Sequence, residues 1–137
     1  KLKQGQFSKE LPELFELKNF IENNGWHNND SVFNHTLTVL EELLKLLKNV
    51  NSQINFYLNQ KIDNHTKKAL LFLGVLFHDI AKSDTLLKNG DLTACPNHEE
   101  AGSAKVKTIL QRFNLSEKEK ERIVMIIWQS LMCWEAS

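Results

Sequence analysis

A run of nine consecutive apolar or small residues, Ala69-Leu70-Leu71-Phe72-Leu73-Gly74-Val75-Leu76-Phe77, ends directly on His78-Asp79. A segment that is apolar on every side has no face to offer water, so it belongs at the centre of a bundle. Candidate caps from Asp63 to Thr66 precede it, and the pattern continues through Ile80 and Ala81. A buried strand is the competing assignment, and the caps and the continuation favour a helix. A carboxylate at the end of such a helix loses hydration, which is costly unless a partner charge or a metal ion offsets it. A divalent cation accepts imidazole nitrogen and carboxylate oxygen together. The alternative at His78-Asp79 is a capping histidine beside a salt-bridged aspartate.

Helical spacing extends over nearly the whole chain. A first helix is expected from near Ser8 to Asn23, with Leu11, Leu14, Phe15, Leu17, Phe20 and Ile21 as its apolar positions. Asn23-Asn24-Gly25 ends it, because Asn and Gly accept the left-handed backbone of a helix C-terminus. A second helix starts at Asp30 or Ser31, either a good N-cap, and reaches about Val50. Val32, Val39, Leu43 and Leu46 or Leu47 form its stripe, and His35 lies on the same stripe, aimed at the interior. Residues 83–95 are polar, with a turn at Asn89-Gly90. A fourth helix covers about Pro96 to Phe113, with Glu99 and Glu100 against the positive end of its dipole. Ser116 and Glu119 have capping-box spacing and open a fifth helix through Ile123, Val124, Ile126, Ile127 and Leu131. The expected fold is all-α, a compact bundle of five or more helices forming one domain over residues 1–137.

Seventeen basic residues balance seventeen acidic ones. Zero net charge speaks against a strong electrostatic footprint for nucleic acid or an anionic membrane. No apolar run approaches the roughly 18–20 residues that span a bilayer, and Lys-Leu-Lys-Gln-Gly lacks the core of a signal peptide. The two cysteines, Cys95 and Cys133, read as free thiols in a reducing, cytoplasmic setting. His65 reads as a helix-start residue, and Trp128 and Trp134 as packing residues. The chain does not begin with Met, and an apolar helical pattern is interrupted at its end, so a continuation beyond Ser137 is expected.

Three elements in order then become informative together. Val-Phe-Asn-His35-Thr-Leu-Thr-Val-Leu is followed about forty residues later by Leu-Phe-His78-Asp79-Ile-Ala-Lys82, and then by Asn97-His98-Glu99-Glu100-Ala101-Gly102-Ser103. This series resembles the HD superfamily of metal-dependent phosphohydrolases. The lead-in Gly25-Trp26-His27 is similar to that of the HD domain attached to bacterial tRNA nucleotidyltransferases. The resemblance implies His35, His78 and Asp79 as ligands of one or two divalent ions (Mn, Mg, Fe, Co, Ni or Zn), with Asp79 able to bridge. It implies Asp79 and Lys82 as catalytic residues, Lys82 acting as a mobile ammonium on the phosphoryl oxygens; a solvated lysine is the alternative. His98 matches a residue that contacts a second metal or the substrate phosphate, against a surface cap as the alternative. His27 and Asp30 flank the second helix and are candidates to line the substrate mouth, although structure or solvent is the simpler reading of both.

The implied substrate is a phosphomonoester or phosphodiester, a nucleotide or related small molecule, with no membrane partner. The family's metal set normally ends in an aspartate on a later helix, and no aspartate follows His98 here. Either the chain stops before that ligand or the site is incomplete. The second case would make a noncatalytic module that binds metal or nucleotide for regulation. The likeness to tRNA enzymes leaves an RNA-associated domain as a third option.

Overall fold

The computed structural model describes the backbone of residues 4–24 and 29–135, and their side chains except those of 99 and 130–135. His27 therefore lies outside the described residues, as do the side chains of Leu131, Cys133 and Trp134. Among the described residues, seven α-helices are joined by loops and three two-stranded antiparallel ribbons. The all-α expectation holds. None of the described helices is long and apolar enough to cross a membrane.

The first expected helix is the largest departure. Helix α1 covers only Pro12–Glu16, a 3-10 turn follows at Leu17–Asn19, and the chain then runs extended as β1, Ile21–Glu22. Proline has no N–H to donate and is tolerated only in the first turn, so the helix starts at Pro12 and not at Ser8. Phe20 is extended (φ −114°, ψ 114°), and β1 pairs with β2, Asp30–Ser31, setting Ile21 opposite Ser31 and Glu22 opposite Asp30.

Helix α2, Val32–Lys48, is capped by Ser31, whose Oγ accepts from the Asn34 N–H at 3.0 Å. Its buried face is Val32, Phe33, Thr36, Leu37 and Leu40. That face is rotated from the expected stripe, leaving Leu46 exposed and His35 at the edge of the interior. Phe33 and Leu37 fill the core, so the row they define overrides Val39 and Leu43. Helix α3, Ser52–Asn59, and the ribbon of β3, Lys61–Ile62, with β4, His65–Thr66, have no counterpart in the sequence reading.

Helix α4, Lys67–Leu76, is the apolar run, and Thr66 Oγ1 caps it by accepting from the Ala69 N–H. It packs against α2 and α3 and against α7, Glu117–Glu135. A Cβ on Gly74 would sit 2.5 Å from Ile126 Cγ2 of α7, so glycine lets these two backbones meet. The helix stops at Leu76, short of the expected Ala81, and residues 77–81 turn before α5, Lys82–Thr85. His78 Nδ1 bonds the Val75 carbonyl, which also accepts from the His78 N–H at 3.3 Å. Strands β5, Leu87–Asn89, and β6, Leu92–Ala94, turn at Gly90, which has φ +64°. Helix α6, His98–Leu110, lies inside its expected range and packs on α5 and α7.

The capping box is present: Ser116 N–H donates to Glu119 Oε1 at 2.9 Å, and Glu119 N–H to Ser116 Oγ at 3.2 Å. His65 is more than a helix-start residue, because its Nδ1 meets Oε2 of the enclosed Glu119 at 2.6 Å. This contact clasps the β3–β4 ribbon to α7. Trp128, expected to pack, is 42% exposed; the inner face of α7 is taken by Ile123 and Ile127.

Candidate metal centre

Three ligand atoms converge at the turn between α4 and α5. His35 from α2, His78 and Asp79 each offer one, and these atoms lie within 4.8 Å of one another. His78 Nε2 is 3.1 Å from Asp79 Oδ2 and His35 Nε2 is 3.8 Å from the same oxygen. His98, at the start of α6, faces the other oxygen, with Nε2 3.6 Å from Oδ1. It is turned inward, so the surface-cap alternative does not describe it.

Two of the imidazoles are oriented the same way. His78 Nδ1 bonds the Val75 carbonyl, and His98 Nδ1 bonds the Cys95 carbonyl at 2.8 Å. A carbonyl only accepts, so each Nδ1 carries a proton and Nε2, on the side of Asp79, is the ring nitrogen left to ligate a metal. This arrangement is what a histidine ligand requires of its outer partner.

Asp79 is 2% exposed, and its Oδ2 has no hydrogen-bond partner among the described residues. Burial works to raise its pKa, but the neighbouring His78, Lys82 and His98 hold the carboxyl far below the usual carboxylate range. For His78, burial works against the charged form, yet the Asp79 carboxylate outweighs it and raises the pKa. An enclosed carboxylate with two imidazole nitrogens beside one oxygen and a third imidazole facing the other fits a divalent cation. The side chain of His35 is 31% exposed, so the cluster opens toward α2.

Lys82 is not a solvated side chain. It is buried, with Nζ 2.7 Å from Glu22 Oε1 and 3.2 Å from Asp79 Oδ2. Burial works to lower its pKa, and Asp79 and Glu22 together raise it, so it is a held ammonium and not the expected mobile one. Sequence reasoning missed Glu22, which looked like one more polar residue of a helix. The pairing of β1 with β2 helps to turn it inward. Cys95 is also drawn in, its Sγ 3.8 Å from Glu22 Oε2, and burial pushes its thiol pKa up to about 12.

Asp30 does not join the cluster. Its Oδ1 accepts from Ser31 N–H, and the residue lines an open cleft with Lys18, Ile21, Asn29, Ser31, Phe33 and Asn34.

Comparison with known proteins places these residues in a wider context. Residues 32–134 match the family model for the HD domain. Over 103 residues the chain is 31% identical to the bifunctional uridylyltransferase/uridylyl-removing enzyme of Legionella pneumophila (strain Paris). That stretch is 74% of this chain and 11% of the relative, so the chain spans about a tenth of that protein's length.

Proposed function

The chain belongs to the HD domain family, and on that premise we propose that it is a metal-dependent phosphohydrolase centred on His35, His78 and Asp79. Its substrate is a phosphomonoester or phosphodiester, a nucleotide or related small molecule. The words "uridylyl-removing" in the relative's name favour a substrate in which a phosphoryl group carries a nucleoside. The whole of residues 1–137 is taken as one unit of this kind, working in a reducing, cytoplasmic setting where Cys95 stays a free thiol.

A divalent ion held here (Mn, Mg, Fe, Co, Ni or Zn, one or two) would supply Lewis acidity to a phosphoryl oxygen and lower the pKa of a bound water. His35 and His78 would hold it through Nε2, and Asp79 through its carboxylate. Oδ1 faces His98, which serves a second ion or the substrate phosphate. Lys82 keeps a fixed positive charge beside Asp79 and stabilises charge developing on the phosphoryl oxygens. Substrate reaches the cluster from the His35 side, where the exposure is greatest.

One observation carries this reading. The buried Asp79 carboxylate and the imidazoles of His35 and His78 bring three ligand atoms within 4.8 Å of one another. The test is turnover of p-nitrophenyl phosphate and bis(p-nitrophenyl) phosphate with Mn, Ni, Co or Mg ions. Activity should need the metal, and Asp79→Ala should lose about a thousandfold, since the metal supplies several kcal/mol to the transition state. Equal rates for wild type and Asp79→Ala would sink the proposal. The absence of any aspartate after His98 favours a second reading, a noncatalytic module that binds metal or nucleotide. Tightly bound metal with no turnover across a broad phosphoester panel selects it.

A further inference from the structure

Glu22 lies ten residues before the start of the family match at residue 32, yet it is built into the centre. It is 3% exposed, and its two oxygens face different partners: Oε1 accepts from Lys82 Nζ at 2.7 Å, and Cys95 Sγ approaches Oε2 at 3.8 Å. The strand carrying it is clipped from outside. Asn23 N–H donates to Thr93 Oγ1 at 2.8 Å, Thr93 N–H returns to the Asn23 carbonyl at 2.8 Å, and the Asn23 amide reaches the Asp91 carbonyl at 2.8 Å. The β5–β6 ribbon thus fixes β1 and, with it, the direction of the Glu22 side chain.

The reason for such fixing lies in the charges. Lys82 Nζ is 3.2 Å from Asp79 Oδ2, the oxygen that faces His35 and His78. An ammonium there contends with a divalent cation for that oxygen and repels the cation as well, and low dielectric enlarges both effects. Glu22 holds the ammonium at the shorter distance and supplies a full opposing charge. We propose that Glu22 is a positioning residue of the metal centre, which tethers and neutralises Lys82 so that the Asp79 carboxylate is left to a divalent cation. The proposal rests on the metal-centre reading above.

The test measures Mn2+ affinity by calorimetry, with thermal melting alongside, for wild type, Glu22→Gln, Lys82→Met and the double variant. Glu22→Gln should weaken Mn2+ binding by about 10- to 100-fold, the range found for outer partners of metal ligands. Lys82→Met removes the competing cation, so it should bind Mn2+ at least as tightly as wild type. In that background Glu22→Gln should change affinity no further. Unchanged Mn2+ binding by Glu22→Gln overturns the proposal, and so does an equal loss with and without Lys82. If Glu22→Gln does not fold, a fall in Mn2+ affinity on Lys82→Met alone is the overturning result, and Glu22→Asp, which keeps the charge, should retain binding within a few-fold. A wild type that binds no Mn2+ refutes the metal centre itself, a distinct outcome from binding that ignores Glu22.

Discussion

Replacing Gly74 by Ala separates a local argument from a tertiary one. In an unconstrained helix interior the change is stabilising by about 1 kcal/mol, because glycine is the worse helix former. Here the new Cβ would lie 2.5 Å from Ile126 Cγ2 and 2.8 Å from Ile126 Cβ. The first contact can be eased by a side-chain rotation, but the second cannot, since Cβ is fixed to the α7 backbone. Carbon atoms rest at about 3.5–4.0 Å, so α4 and α7 must part by roughly 1 Å. Overpacking of this kind costs about 1–3 kcal/mol, which exceeds the propensity gain over most of its range. The expected net effect is a loss of about 1 kcal/mol, or a Tm lower by roughly 4 °C at this chain length. Thermal melting followed by circular dichroism measures it. Ile126→Gly removes both contacts, so in that background Gly74→Ala should be less harmful or neutral. A Tm that rises by about 4 °C on Gly74→Ala alone would refute the close crossing of α4 and α7.

Two further predictions concern stability and reactivity. Burial opposes the Glu119 charge, but the Ser116 N–H and His65 overcome it and hold the pKa below its ordinary 4.5. A lowered folded-state pKa contributes stability above 4.5 that is lost as pH falls through the folded value. Urea midpoints measured from pH 6 to pH 3 should fall for wild type and fall less steeply for Glu119→Gln; parallel curves would exclude Glu119 as the source. The thiol of Cys95, raised to about 12, should resist alkylation at pH 8 in a Cys133→Ser variant and react quickly once urea unfolds the chain; fast labelling of the native protein would contradict its half-buried place beside Glu22.

What could be read in advance was whatever short-range chemistry decides. Ser31, Thr66 and the Ser116–Glu119 pair each announce a helix start, because a side-chain oxygen must meet an N–H two or three residues on. The turn at Asn89-Gly90 was legible for the same local reason. Helix ends inside apolar sequence were not. Nothing in Phe77-His78-Asp79-Ile80-Ala81 differs from a continuing helix until His78 is seen to take the Val75 carbonyl. Phe20 and Ile21 fit a helical stripe as well as a strand, and only the distant partner Ser31 decides between them. The site divides along the same line. His35, His78, Asp79, Lys82 and His98 carried a recognisable spacing. Glu22 carried none, since its place depends on a strand pairing and on a ribbon seventy residues away.

His78, Asp79 and Lys82 all stand on the turn where α4 gives way to α5, whereas His35 comes alone from α2. Two of the three candidate ligands thus share one turn, and a shear of the bundle that moved α2 would shift His35 alone. A sliding or tilting of α2 by an ångström would loosen the grip on an ion while His78 and Asp79 kept their places on the turn.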